Sequence, residues 1–386
     1  NPYQYFFEQM HMDDAIYADE SIYEYPMQQG GGNDGRPYSF GRPSSGGSKA
    51  AYPCKSYGQG RINPAYFYGV FDPNDMRRDV SITMTGSNGK GVEKLIPFVP
   101  NSKAEGGGLT LNKWDENRQA NPWVAAQRKS GINGPYMRMS EVYLGYAEVC
   151  AALGDVVTGK QYLKTVRERS FPQGLANTDA FIASFGNDLV RAIIEERGFE
   201  YAGEGDRRWT LIRSGYLPED IKRIKDMTKA MMDGLATKGY YEFENGNIIS
   251  AYIWTKLVDA KTIYGHRLTA QCPTDKVNDP VLYPGWRGQK DNWEEMGLNY
   301  GSSTPATNLA IKGLFEIVSE EEAASLESQG YTKVNWGIDL VDNRDEYDKY
   351  LFWDYDYVSA PIYLWPFTPN VMAAGGFTNG YGFKQE

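Results

Sequence analysis

The densest set of chemically capable side chains runs from Glu195 to Arg213. It places Glu195, Glu196, Glu200 and Glu204 beside Arg197, Arg207 and Arg208. Paired carboxylates are what acid–base catalysis needs, and a glycosidase would hold two of them about 5–9 Å apart across a cleft. The arginines argue for another outcome. Cations this close hold carboxyl pKa values low, and arginine–carboxylate forks are good at locking helices together. Nine charged residues of the stretch lie among apolar ones, so both signs read as half-buried and paired. The stretch therefore predicts an ion-paired helical corner, with Asp206 capping its second helix and Trp209 in the core.

A second set is aromatic. The chain has 29 Tyr and 9 Trp against only two His. That balance suits stacking on neutral ring-shaped ligands better than metal or triad chemistry, each buried ring offering about 150–250 Å². From Gln28 to about Gly60 the composition turns to Gly, Ser, Pro and Tyr, a long loop region by punctuation. Polar linkers rarely carry so many rings, whereas binding loops on a rigid scaffold do. The candidate ligand-binding residues are Tyr38, Tyr52, Tyr57, Tyr66 and Tyr68, with Trp114 and Trp123 beside them. For each, the competing reading is core packing.

Composition limits the partners. A net charge of −10 argues against nucleic acid and anionic membrane surfaces. Hydrophobic content of 41% supports a real core across the 386 residues. No apolar run approaches the roughly 18 residues of a membrane span. Cys54, Cys150 and Cys272 are too widely spaced for a zinc site or a disulfide framework, and Cys150 reads as buried packing. Asp339, Asp342, Asp345, Asp348, Asp354 and Asp356 form an acidic run without the spacing and glycine of an EF-hand. It could hold calcium, but a solvated acidic face is the simpler reading. No other cofactor is indicated.

The elements that would position these residues are mainly helical. Ile182, Phe185, Leu189 and Ile193 form a helical stripe leading into the charged corner. Met139, Tyr143, Tyr146, Cys150 and Leu153 read as one helical face, stopped by Gly154-Asp155. A second helix follows with Tyr162, Leu163 and Val166 inward, and Ala147 and Gly159 mark a close approach. The fold class is mainly α: tetratricopeptide-like helical repeats with a long loop-rich, partly β ligand-binding region. Residues 1–30 read as the end of an amino-terminal helical region whose start is absent. A loop-rich ligand-binding region spans 31–135, and the helical scaffold spans 136–215. Residues 216–360 form a variable insertion, in which Asn245-Gly246 marks a type I′ hairpin and Ser319 to Ser328 a capped helix. The proline-rich segment 361–386 should cross the scaffold as an extended chain.

Taken together, several stretches resemble the SusD/RagB family. Arg138, Glu141, Leu144, Ala147 and Glu148 match the family's Arg-x-x-Glu-x-x-Leu-x-x-Ala-Glu helix. Gly154, Val166, Arg167 and Arg169 match its turn and the arginine-bearing helix end. Glu196 to Gly215 fits the Glu-Arg-x-x-Glu and Gly-Glu-Gly pattern almost completely. The closing Trp365-Pro366-Phe367-Thr368-Pro369-Asn370 and Asn379-Gly380-Tyr381 resemble the family's ending. Glu20 to Glu24 and Asp75 to Arg78 are also in family order. Departures are Phe367 and Thr368 where Ile-Pro is commoner, and the lack of a lipidated cysteine and first helices in this chain.

The resemblance implies a non-catalytic outer-membrane lipoprotein facing outward, anchored through a segment outside this chain. Its partner would be a SusC-like TonB-dependent transporter, and its ligand an oligosaccharide. A peptide, as in RagB-like members, is the alternative. The family's ligand contacts lie in loops without a shared motif, so no site residue carries over by position.

Overall fold

The computed structural model describes residues 3, 7, 20–31, 62–87, 93–96, 108–114, 129, 131–171, 174–259, 307–345, 356, 358–359, 363, 367–376 and 378. Helices dominate these residues, and the strands form small sheets. Tyr38, Tyr52, Tyr57 and Trp123 lie outside the described residues, as do Cys54, Cys272, Asp348 and Asp354.

The first part of the chain is a set of short elements. β1 (Ser21–Tyr25) is followed by a π-helical turn (Ala65–Val70) and α1 (Arg77–Ser81). β2 (Ile82–Thr83), β3 (Thr85–Ser87), β4 (Glu93–Leu95), β5 (Thr110–Leu111) and β6 (Gly134–Arg138) come next. They pair antiparallel as β1 with β6, β2 with β5, and β3 with β4.

β6 runs directly into α2 (Met139–Ala152), which is paired with α3 (Val156–Glu168) across Gly154 and Asp155. Gly154 has φ 87°, a left-handed conformation that suits glycine, and Asp155 caps α3 by accepting from the Thr158 backbone N–H at 3.1 Å. A Cβ on Gly159 would lie 3.0 Å from the Ala147 carbonyl oxygen, so the two helices do approach at that pair. The inward face of α2 differs from the expected one. Ser140, Leu144, Ala147 and Cys150 are buried, whereas Met139, Tyr146 and Leu153 are exposed. Small residues win the inner face because the backbones come so close there. Tyr146 instead lies edge-on to Tyr162, ring centroids 5.0 Å apart.

The stripe from Ile182 to Ile193 is divided between two helices, α4 (Thr178–Ala183) and α5 (Leu189–Glu200). Asn187 at φ 65° breaks the run, and Asp188 restarts it by accepting from the Arg191 N–H at 3.0 Å. α5 packs against α2 and α3 through Ile193, Leu144 and Leu163. After it come α6 (Asp206–Ser214) and the long α7 (Leu217–Lys238).

β7 (Tyr240–Glu242) and β8 (Ile248–Ser250) form the expected hairpin, but not with a type I′ turn. The Phe243 N–H donates to the Asn247 carbonyl at 2.8 Å, and Gly246 alone is left-handed (φ 84°) in the loop between. Type I′ needs positive φ at both corner residues, and Asn245 does not supply it. β9 (Tyr252–Asp259) belongs to another sheet, between β10 (Thr307–Lys312) and β11 (Thr332–Asn335). α8 (Glu320–Ser328) has the expected capping box between Ser319 and Glu322. α9 (Trp336–Asp342) follows β11. α10 (Pro369–Gly375) corrects the extended reading of the carboxy-terminal segment there. Proline is tolerated in a helix's first turn, where its missing N–H has no intrahelical partner to lose.

The largest core gathers Phe67, Tyr68, Phe71, Phe199, Met231 and Trp336 from the π-helical turn, α5, α7 and α9. No helix among the described residues is long and apolar enough to cross a membrane.

Candidate functional site

The charged stretch folds as two clusters on opposite sides of α5. Glu196 and Glu200, four apart, share one side; Glu195 points to the other. On the first side Arg77 donates to Glu196 Oε1 at 2.6 Å and Glu200 Oε2 at 3.1 Å, and holds Asp75 through Nη2 at 2.6 Å. Arg167 takes the second oxygen of Glu196 at 2.8 Å. Arg138 donates to Glu200 Oε1 at 2.7 Å and forks onto Glu204, its Nε reaching Oε2 and its Nη2 reaching Oε1, both at 2.9 Å. Arg169 bridges Glu20 and Glu200. Lys113, fully buried, donates to Glu204 at 2.7 Å.

The second cluster ties α5 to α6 and α7. Arg207 reaches Glu195 at 2.7 Å and Asp220 at 2.9 Å, and Arg223 reaches the same two carboxylates at 3.0 and 2.7 Å. Gly198 makes room for this packing. A Cβ there would come within 2.5 Å of the Tyr66 hydroxyl and 2.6 Å of Arg207 Nη1. Asp206 does not cap α6. Gly205, at φ 97°, takes the N-cap position, and Asp206 instead accepts from Arg197 at 2.5 Å.

These contacts settle how the carboxylates behave. Burial pushes Glu200 upward, but Arg169, Arg138 and Arg77 outweigh it and hold its carboxyl far below the usual range. Burial likewise opposes, and Arg138 with Lys113 overcomes, for Glu204. Glu195 is held low against burial by Arg207 and Arg223. A general acid or base needs a pKa near the working pH, so these charged, forked groups brace the corner instead of moving protons. For Lys113 burial prevails over its partners. Burial pulls its ammonium down to about 8, with Glu204 opposing.

Three of the seven aromatic candidates lie within the described residues. Tyr68 and Trp114 are each about 1% exposed, Tyr68 edge-on to Phe315 and Trp114 packed on Leu111 and Ile132. Tyr66 packs against Phe67, Phe71 and Phe199, with Arg207 near its ring. The structure thus gives Tyr68 and Trp114 the competing role, core packing, because a ring without free surface has no face for a ligand. Trp209 is the reverse case. It was expected in the core and is 59% exposed, since α6 turns Thr210 and Leu211 inward.

Exposed rings occur where the candidates did not include them. On the β1–β6 ribbon Tyr23, Tyr25 and Tyr136 are each more than half exposed. The Tyr23 and Tyr136 rings meet edge-to-face at 5.6 Å. Between the tyrosines of β1, Glu24 is buried and accepts from Asn133 Nδ2 at 2.9 Å. The signal in the sequence was the alternation Tyr23-Glu24-Tyr25, a period of two that puts both rings on one side of a strand. Among the described residues no group of three or more His, Cys, Asp or Glu could hold a metal ion.

Comparison with known proteins gives the family of this helical scaffold and its arginine-locked corner. The SusD family model matches residues 14–366, and the chain belongs to that family. SusD-like protein P25 of Formosa agariphila is 28% identical over 160 residues, 41% of this chain and 26% of that protein. Among solved structures, a SusD homolog from Bacteroides thetaiotaomicron is 20% identical with a TM-score of 0.42, covering 60% of this chain and 46% of that one. Surface glycan-binding protein A from the same species is 19% identical with a TM-score of 0.38, covering 57% of this chain and 47% of that one. The chain thus spans about a quarter of the curated relative and under half of these solved chains.

Proposed function

We propose that this chain is the ligand-capturing part of a cell-surface nutrient-binding protein, taking up an oligosaccharide without altering it. It passes the ligand to a SusC-like TonB-dependent transporter at the outer membrane, and a lipid anchor outside this chain holds it there. Membership of the SusD family over residues 14–366 is the observation that carries the reading. The exposed tyrosines of the β1–β6 ribbon, in a chain with 29 Tyr, add support, since such rings stack on the C–H faces of sugars. Tyr38, Tyr52 and Tyr57 are proposed as further ligand contacts.

Calorimetric titration with a mixture of neutral oligosaccharides tests the reading. Tyr52→Ala with Tyr57→Ala, and separately Tyr23→Ala with Tyr136→Ala, should weaken capture without lowering the melting temperature. Release of new reducing ends by the unmodified chain would sink the non-catalytic part. Co-purification from the native membrane without a barrel transporter would sink the delivery step.

A further inference from the structure

Away from the charged corner, a cleft opens among the described residues. It has a volume of about 330 Å³, near the lower end of the roughly 300–1,000 Å³ typical of small-molecule sites. It opens where α7 ends, bounded by the start of β9, the end of β11 and α9. Its apolar lining is Leu235, Ile338 and Val341; Lys238, Tyr252 and Asn335 supply the polar groups.

The helix end decides the chemistry. The last four carbonyls of a helix lack intrahelical donors and carry the negative end of its dipole. In the 22-residue α7 they belong to Leu235, Ala236, Thr237 and Lys238, all four of which line the cleft. An anion would face this carbonyl end. A cation would face Lys238, and Lys333, whose Nζ stands 4.5 Å from the centre of the Tyr252 ring. A neutral ligand rich in hydroxyls satisfies both sides, donating to the carbonyls and accepting from the ammonium. Asn335 adds a second donor. Its Oδ1 is taken by the Ile338 N–H at 3.1 Å, which leaves its NH₂ to offer. Ile338, partly exposed at the cleft, offers a small aliphatic patch to the C–H side of a sugar ring.

We infer that this cleft binds a neutral hexose unit, a carbohydrate site separate from the β1–β6 ribbon. The inference rests on the saccharide reading above and adds a second contact point along the same oligosaccharide.

Nuclear magnetic resonance titration of the ¹⁵N-labelled chain with D-glucose, D-galactose and D-mannose tests it. At least one hexose should give saturable shifts at the Gly239 amide and the Asn335 side-chain amide. Ala236→Trp, at an exposed position on the rim, should abolish the Gly239 shift while the melting temperature stays unchanged. Asn335→Asp keeps an oxygen to cap Ile338 but loses the donor, and should weaken binding about tenfold, read at Gly239. The cleft is overturned if no hexose gives saturable shifts, if they survive Ala236→Trp, or if glucuronate or tetramethylammonium binds more tightly. Calorimetry with neutral oligosaccharides on the same sample separates the two readings. Heat without shifts at the cleft rejects the cleft alone; no heat with any saccharide rejects both.

Discussion

Arg77 Nη1 lies 2.6 Å from Glu196 Oε1, across 119 residues of sequence, with both side chains fully buried. This contact joins the loop-rich part of the chain to α5, and the same guanidinium also holds Asp75 and Glu200. Three carboxylates therefore share this cation, Glu196 with Arg167 and Glu200 with Arg138 and Arg169 as further partners. Removing one partner from a buried pair leaves charge uncompensated, which is worse than never having buried it.

Arg77→Ala should accordingly destabilise the chain by about 3–5 kcal/mol, measured by urea unfolding. Lys222→Ala should cost only about 0.5 kcal/mol, because Lys222 and its partner Asp226 are both more than half exposed. Equal losses would reject the assignment of the brace to the buried arginines.

Stability should depend on pH through Lys113. Its folded pKa of about 8 lies below the ordinary 10.5, so the folded state gives up its proton first. Between those values the unfolded chain binds more protons and stability rises with pH, by at most about 3 kcal/mol. Below pH 8 the burial penalty is fully present. The difference in unfolding free energy between the unmodified chain and Lys113→Met isolates this slope from other titrating groups. A flat difference from pH 7 to 10 would show that Lys113 does not titrate there.

Acid should act in the same sense, at lower pH, through Glu195, Glu200 and Glu204. Their folded pKa values are depressed, so their stabilisation is present above about 4.5 and is lost as pH falls below it. Glu204→Gln should flatten the acid limb of the melting temperature against pH. Unchanged acid sensitivity in the variant would contradict this role.

Gly159→Ala tests the close helix contact. The added carbon would meet the Ala147 carbonyl oxygen at 3.0 Å and Leu189 Cδ2 at 3.2 Å, and backbone cannot swing aside as a side chain can. Overpacking of this kind costs about 1–3 kcal/mol, whereas alanine at an exposed helical glycine normally stabilises. A raised melting temperature would mean that α2 and α3 are free to separate.

Tyr68→Ala and Trp114→Ala should each cost about 3–5 kcal/mol, as truncated core aromatics do. Saccharide affinity per folded molecule should stay the same. Full stability with lost affinity would return them to the binding surface.

Much of this was legible in the residues. The Glu196/Glu200 spacing, the Gly154-Asp155 stop, the Ala147–Gly159 approach and the Ser319 cap are relations between near neighbours, set by helical geometry and local hydrogen bonds. Family membership follows from the order of such motifs along the chain. The tertiary structure decided what depends on distant partners. It chose Arg77 and Arg138 to answer carboxylates far along the chain, turned the small side of α2 inward, and placed Trp209 outside. It buried Tyr68 against Phe315 and left Tyr23 and Tyr136 open. A tyrosine's identity fixes what it can contact. Whether it meets protein or ligand depends on the surface the rest of the chain brings to it, and that surface is assembled only on folding.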